Sequence, residues 1–212
     1  MIGIGFLQSI YMTFVSTALA YVIGLPLGLL LVVTDKDGLR PRPMLNALLG
    51  VVVNILRSLP FLILAVLFQP FTRKIVGTTI GSNATIVALV IASAPYVARL
   101  VESSIKEVDK GVIEAAESMG ASTSQIVWRV LLPEARPSLL VGGAIAITTI
   151  LSYSAMAGFI AGGGLGTIAI NYGVYRYQTT IMFITSAILI AIVQVLQAVG
   201  MKLARIGDKR IS

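Results

Sequence analysis

The sequence predicts an all-α polytopic membrane protein with five transmembrane helices, and its composition gives the first evidence for this fold class. Hydrophobic residues make up 57% of the 212 residues, charged residues only 12%, and the mean hydropathy is +0.94. Soluble domains carry about 25% charged residues. The charged residues are also clustered, which leaves long apolar stretches suited to a lipid bilayer. We expect the whole chain, residues 1–212, to form a single membrane domain.

Four apolar stretches are long enough to cross the bilayer unaided, because a spanning helix needs about 20 residues. A fifth stretch, between Arg57 and Arg73, is shorter, and we expect both arginines to snorkel from its ends toward the interfaces. Placing Arg57 inside a longer span is less favourable, since an arginine at the bilayer centre costs at least about 2.5–3.5 kcal/mol. The predicted spans cover residues 10–33, 50–71, 79–99, 137–158 and 179–201.

The distribution of Lys and Arg predicts the orientation of these spans. With the N-terminus outside, 12 of the 16 basic residues fall inside and 3 outside, with Arg57 at a boundary. Basic residues favour the cytoplasmic side, so we predict an N-out, C-in topology. The net charge of +7 then indicates contact with inner-leaflet lipid rather than with nucleic acid. The inner basic residues are Lys36, Arg40, Arg42, Arg99, Lys106, Lys110, Arg129, Arg136, Lys202, Arg205, Lys209 and Arg210.

The positions of the acidic residues bear on whether the chain has the features of a proton-coupled carrier. All nine, including Asp208, fall in predicted cytoplasmic segments, and the chain has no histidine and no cysteine. Proton-coupled carriers usually hold Asp, Glu or His inside their spans, so the sequence favours energy from a partner protein. Coupling to sodium through unwound carbonyls stays open. Thiolate metal sites are excluded, and we predict no metal site and no catalytic residue.

Two glycine patterns carry structural predictions. Gly24 and Gly28 share one face of the first span, where they favour either close helix packing or a lipid-facing kink beside Pro26. The run "AGGGLG" at 161–166 lacks the Lys-Ser/Thr pair of a nucleotide-binding P-loop. We interpret this run as a flexible or tightly turned outer connection between the fourth and fifth spans.

A polar block interrupts the apolar sequence between the third and fourth spans, at about residues 101–136, and we call it the coupling loop. Helix-forming residues lead to Gly120, which suits a left-handed helix stop, and Ala115 and Ala116 place small side chains on one side. Ser122 and Gln125 have the spacing of a capping box that begins a second helix, which we expect Pro133 to end. The sequence thus predicts a short surface helix, a sharp turn and a second helix leading into the membrane.

The coupling loop resembles the cytoplasmic loop of ATP-binding-cassette importer permeases. That loop reads E-A-A, three residues, G, nine residues, I, one residue, L-P, and this chain departs from it only in having Val130 for isoleucine. The resemblance implies that the loop docks on a cytoplasmic ATPase subunit. The implied docking residues are Glu114, Ala115, Ala116, Met119, Gly120, Leu132 and Pro133.

Within that superfamily the chain resembles the methionine-importer permeases over nearly its whole length, for example in "VNILRSLPF" at 53–61 and "YSAMAGFIAGGGLG" at 153–166. The resemblance implies a homodimer in the bacterial inner membrane, two ATPase subunits that bind ATP and Mg²⁺, and an outer binding lipoprotein that delivers D- or L-methionine or related amino acids. The chain itself would be no enzyme and would hold no cofactor. Another small amino acid or an osmoprotectant as substrate, an ion-coupled carrier and a membrane scaffold are the alternative functions.

Polar or deformable side chains within the apolar spans are the candidates for a transport route. A neutral lining passes a zwitterion without trapping it, whereas the alternative is that the hydroxyls bond to helix carbonyls and Met156 packs. We expect Arg57 to anchor a helix at the inner interface rather than to contact substrate. The candidate route and gate residues are Ser93, Tyr96, Ser152, Tyr153, Ser154 and Met156.

Overall fold

The computed structural model describes residues 1–207, and those residues are helical apart from short connections. Four helical segments are long and apolar enough to cross a membrane: Ile2–Thr34, Ser82–Lys106, Arg136–Val174 and Thr179–Ile206. A bent pair, Pro43–Ser58 and Phe61–Leu67, would make a fifth if counted as one span. These segments overlap the five predicted spans. Asp208, Lys209 and Arg210, which the charge pattern assigns to the inner side, lie outside the described residues.

The first and third spans form the tightest helix pair in the chain. Helix α1, Ile2–Thr34, runs parallel to α5, Ser82–Lys106. A Cβ added at Gly24 would lie 2.7 Å from the Cβ of Val97, and one at Gly28 would lie 2.6 Å from the carbonyl oxygen of Ala98. Of the two interpretations of this glycine pair, close helix packing is therefore the one that holds.

The second predicted span, 50–71, is not a single straight helix. Helix α2, Pro43–Ser58, and helix α3, Phe61–Leu67, meet at an angle of 107°, and α4, Gln69–Val76, follows. Pro60 explains the break, because it has no N–H to continue the helix and restricts the residue before it. The helix also begins earlier than predicted, so Arg57 lies within the α2–α3 segment. Arg57 is the next-to-last residue of α2, beside the bend, and its predicted position at the inner interface stays a prediction.

The glycine-rich run is a tightly packed turn. After a 3₁₀ turn at Ala157–Ile160, the backbone enters the left-handed region at Ala161, Gly163 and Gly164, and α10, Gly164–Ile168, begins. Side chains of α1 satisfy its first N–H groups: Gly164 N–H donates to Gln8 Oε1 at 2.9 Å, and Leu165 N–H donates to Ser9 Oγ at 2.9 Å. Of the two interpretations of this run, the tight turn is therefore the one that holds.

The fourth and fifth spans complete the subunit. Helix α9, Arg136–Met156, packs on α11, Thr179–Gly207, where a Cβ added at Gly200 would lie 2.5 Å from the Cβ of Ala144. A π-helical segment, Ala169–Val174, leads from α10 toward α11. The coupling loop lies between α5 and α9, so its two ends are fixed to two packed spans.

Candidate functional site

The coupling loop opens with helix α6, Lys110–Ser118, whose ends are fixed by local hydrogen bonds. The Asp109 carboxylate accepts from Gly111 N–H at 2.6 Å and caps the first turn. Gly120 ends the helix with φ +76°, and its N–H donates to the carbonyl of Glu117 at 2.9 Å. The predicted left-handed stop is confirmed, because a residue without Cβ adopts this φ at little cost.

The two alanines of α6 lie on different sides of the helix. Ala116 is 4% exposed and packs into the apolar cluster formed by the inner halves of the spans, whereas Ala115 is on the surface. The prediction that both present one small docking face is therefore wrong. The exposed surface of α6 also includes Glu114, Met119 and Gly120.

An apolar strip on this exposed surface had not been predicted. Val112 is 42% exposed and Met119 is 81% exposed, and Ala115 lies between them at spacings of three and four residues. Residues at such spacings share one helix face. The spacing of Ala115 and Met119 is visible in the sequence, but the burial of Ala116, which decides which face of α6 is exposed, depends on tertiary contacts.

The second helix of the loop begins as predicted and ends differently. Ser122 and Gln125 form the capping box, in which Ser122 N–H donates to Gln125 Oε1 at 2.8 Å. The helix then widens into a π-turn at Val127–Leu131 and continues through Leu132–Glu134. Leu132 N–H bonds to the carbonyl of Val127, five residues back, and this wider turn accommodates the missing N–H of Pro133.

The prediction that Pro133 ends the second helix is thus wrong. Leu132 is partly buried against the apolar cluster that holds Ala116, while Pro133 is exposed. Both therefore lie on the junction into α9, away from the strip on α6. The predicted docking residues thus divide into four that are exposed on α6, the buried Ala116, and the two at this junction.

Charged side chains surround the base of α6. A cavity of about 630 Å³ separates α6 from the loop after α1, and Asp35, Asp37, Lys110, Glu114 and Glu117 are among the residues that line it. The hydrogen bond from Lys106 lowers the pKa of Asp35, so this carboxylate is ionised at neutral pH. Lys106 Nζ lies 2.8 Å from Asp35 Oδ2.

Three of the candidate route residues are held within the subunit. Ser93 is fully buried between the helices, and Ser154 is 1% exposed and donates to the carbonyl of Leu151 at 2.7 Å. Tyr96 is partly buried against the cluster that contains Ala20. In the subunit as folded, these side chains take part in helix packing rather than line an open surface.

The remaining candidates lie on or beside an exposed face of α9. Ser152 and Met156 are exposed four residues apart, and Ile145 extends the same face. Tyr153 stacks on Phe61 with ring centroids 5.2 Å apart and an interplanar angle of 4°, which joins α9 to the bend between α2 and α3. The structure therefore does not gather all six predicted residues into one site.

Among residues 1–207, no group of three or more His, Cys, Asp or Glu side chains is arranged to hold a metal ion. The candidate functional features are an exposed apolar strip beside a charged cavity on the coupling loop and an exposed face with hydroxyl groups on α9.

Comparison with known proteins agrees with this architecture. Residues 20–212 match the family described as binding-protein-dependent transport system inner membrane component. A probable D-methionine transport system permease protein MetI from Vibrio cholerae is 50% identical over 203 residues, which cover 96% of this chain and 90% of that protein. The methionine import system permease protein MetP from Bacillus subtilis is 45% identical and covers 85% of this chain and 82% of its own length.

A solved structure of the MetNI methionine ABC transporter in an inward-facing conformation contains a chain of the same fold. That chain is 42% identical, superposes with a TM-score of 0.96, and the match covers 98% of this chain and 96% of that one. The similarity extends through the helices and the coupling loop alike. The chain belongs to the family of binding-protein-dependent transport system inner membrane components.

Proposed function

We propose that this protein is the permease subunit of an ATP-binding-cassette importer for methionine. The observation that carries the proposal is α6, a surface helix that exposes Val112, Ala115 and Met119 and is closed by the left-handed Gly120. An exposed apolar strip on a short helix suits a groove on a partner protein. The choice of methionine rests on the curated relatives and on the MetNI structures.

The assembly that we propose is a homodimer with two cytoplasmic ATPase subunits and an outer substrate-binding lipoprotein. A two-fold homodimer presents two copies of α6, one for each ATPase. ATP and Mg²⁺ are bound by the ATPase subunits, and this chain hydrolyses nothing and holds no cofactor. The complex lies in the bacterial inner membrane with the N-terminus outside, contacts lipid and binds no nucleic acid.

The transport route is proposed to follow the exposed face of α9. Ser152 offers a hydroxyl and Met156 a flexible thioether on this face, and Tyr153 supports it from the α3 side. Paired with a second copy, the face would form a neutral lining through which a zwitterionic amino acid could pass. Ser93, Tyr96 and Ser154 contribute to this route by holding the helices in place.

Uptake into proteoliposomes tests the proposed function. The chain is reconstituted with its ATPase and binding protein, and radiolabelled methionine is supplied on the binding-protein side. We expect uptake that requires ATP and stops with vanadate, while a protonophore or sodium ionophore has no effect. Uptake that persists with vanadate but collapses with an ionophore would make the chain an ion-coupled carrier, and competition by unlabelled glycine betaine or other amino acids would identify another substrate.

A further inference from the structure

Helix α2 is weakly attached to the rest of the subunit by apolar contacts. Of its 16 residues only Val53 is buried, although the segment that it begins leads into the bend at Ser58–Phe61. Core side chains normally fix the position of a helix. Within the subunit, polar side chains therefore form much of the link between α2 and the other helices.

Two sets of polar contacts hold α2. Near its start, Asn46 Nδ2 donates to the carbonyl of Leu31 at 2.6 Å and to Thr34 Oγ1 at 3.2 Å. Two turns later, Arg99 of α5 donates from Nη2 to Asn54 Oδ1 at 2.9 Å and reaches the carbonyl of Gly50 at 3.4 Å. The Arg99 contact is the one nearer to the bend, since Asn54 precedes Ser58 by one turn.

The same arginine belongs to a longer chain of polar side chains. Arg99 Nη1 donates to Glu102 Oε2, Lys106 Nζ lies 2.9 Å from Glu102 Oε1, and Lys106 Nζ also lies 2.8 Å from Asp35 Oδ2. Glu102 is only 9% exposed, and it pairs with both cations. We call Asp35, Lys106, Glu102, Arg99 and Asn54 the polar chain.

The polar chain begins at the coupling loop. Lys106 is the last residue of α5, and Lys110, the first residue of α6, follows four positions later. Asp35 is the residue directly after α1, so Lys106 ties the inner ends of two spans together at the base of α6. Only residues 107–109 separate Lys106 from α6, and Arg99 lies two helical turns away along α5.

We propose that Arg99 is a positioning residue that holds α2 through Asn54, and that the polar chain transmits movement of α6 to the bend between α2 and α3. The inference rests on the proposed importer function, in which the ATPase moves α6. Charge-assisted hydrogen bonds suit this task because they are strong and directional. An apolar contact of the same area is not directional, so it would allow α2 to shift along α5.

The ratio of methionine imported to ATP hydrolysed tests the inference in the full reconstituted complex. Asn54→Leu removes the acceptor on α2 and leaves Arg99 and Lys106 paired with Glu102. We expect this ratio to fall about five- to tenfold, within the range typical of coupling between sites. Basal ATP hydrolysis, thermal midpoint and co-purification of the ATPase should stay at wild-type values, since Asn54 is exposed.

Ser58→Ala is the matched control, because the Ser58 hydroxyl donates to the carbonyl of Asn54 at 2.8 Å and its hydrogen bond stays within α2. It should keep the wild-type ratio. Arg99→Met combined with Asn54→Leu should be no worse than Arg99→Met alone, because both substitutions remove the contact between Arg99 and Asn54. A wild-type ratio in Asn54→Leu, or independent additive losses in the double variant, would overturn the inference. Absence of ATP-driven methionine uptake by the wild-type complex would instead refute the proposed function.

Discussion

Gly28 lies in the contact surface between α1 and α5, which we call the seam, and Gly120 lies at the end of α6. The fold requires glycine at both positions, but for opposite reasons. At Gly28 the backbone is helical and an added Cβ would lie 2.6 Å from the Ala98 carbonyl oxygen. At Gly120 the backbone is left-handed at φ +76°, and an added Cβ would meet nothing within 4 Å. The first glycine serves packing within the subunit, whereas the second serves a turn that faces open space.

This difference separates a contact that is buried within the subunit from a turn that lies open on its surface. Along the seam, Val97, Ala98 and Val101 are fully buried, so α1 and α5 cover each other's facing surfaces. Around Gly120, Met119 is 81% exposed and Trp128 is 64% exposed. Large apolar side chains gathered on the surface commonly mark a site of contact with another protein. Substitutions in the seam should therefore affect folding, and substitutions at the end of α6 should affect assembly.

Gly28→Val should give the largest effect, because it places a branched side chain where even Cβ has no room. The contacting atoms at Ala98 are backbone, so the helices must separate, and we expect a loss of about 3 kcal/mol or more of folding free energy. The measurement is the amount of protein in the membrane and its thermal midpoint in detergent. Gly3→Val on the same helix is the control, since its Cβ would meet nothing within 4 Å. Equal losses in both variants would show that helix propensity and not the seam is responsible.

Gly120→Val should have a smaller effect on the isolated subunit and a clear effect on the complex. Forcing a β-branched residue into the left-handed region costs about 1–2 kcal/mol. We expect normal membrane levels and dimerisation but reduced co-purification of the ATPase, or ATP hydrolysis that methionine and its binding protein no longer stimulate.

Gly77→Val is the matched control for Gly120→Val. Gly77 has φ +81° at the end of α4, and its Cβ would also meet nothing within 4 Å. It imposes the same backbone strain at a different place in the chain. Equal association of both variants with the ATPase would contradict the proposal that the turn at Gly120 takes part in docking.

The same contrast explains which features the sequence could predict. Local rules were sufficient for the Gly120 stop and for the Ser122 capping box, because each depends on a few neighbouring residues. Chain-wide hydropathy was sufficient for the positions of the long spans. The tight glycine turn at 161–166 could be expected, but its caps from Gln8 and Ser9 could not, since they lie 156 residues away.

The wrong predictions involve choices that depend on tertiary contacts. Pro60 breaks a span while Pro133 does not, because a π-turn precedes Pro133. Ala116 is buried because it packs into the cluster around α5. No local pattern in the sequence distinguishes it from Ala115. The polar chain was not predicted either: its members lie on two helices, α2 and α5, and in the loop after α1, and only Arg99, Glu102 and Lys106 show a regular spacing.

The smallest effect is expected at Asp35, the residue directly after α1, which pairs with Lys106 at the end of α5. Lys106 lowers the pKa of Asp35, so the ionised form is favoured in the folded state. The resulting stability is present above the unfolded pKa of about 4 and is lost as the pH falls through the lower folded pKa.

Because the Asp35–Lys106 pair is partly exposed, it should contribute less than about 1 kcal/mol, or at most about 2–4 °C in thermal midpoint for a chain of this size. Asp35→Asn should therefore lower the midpoint slightly at pH 7, and this difference from wild type should disappear as the pH falls below about 4. Asp37→Asn, at an exposed position of the same loop, should show no such pH-dependent difference. A difference at Asp35 that is equal at both pH values would mean that the shape of the side chain, and not its charge, joins the end of α1 to the base of α6.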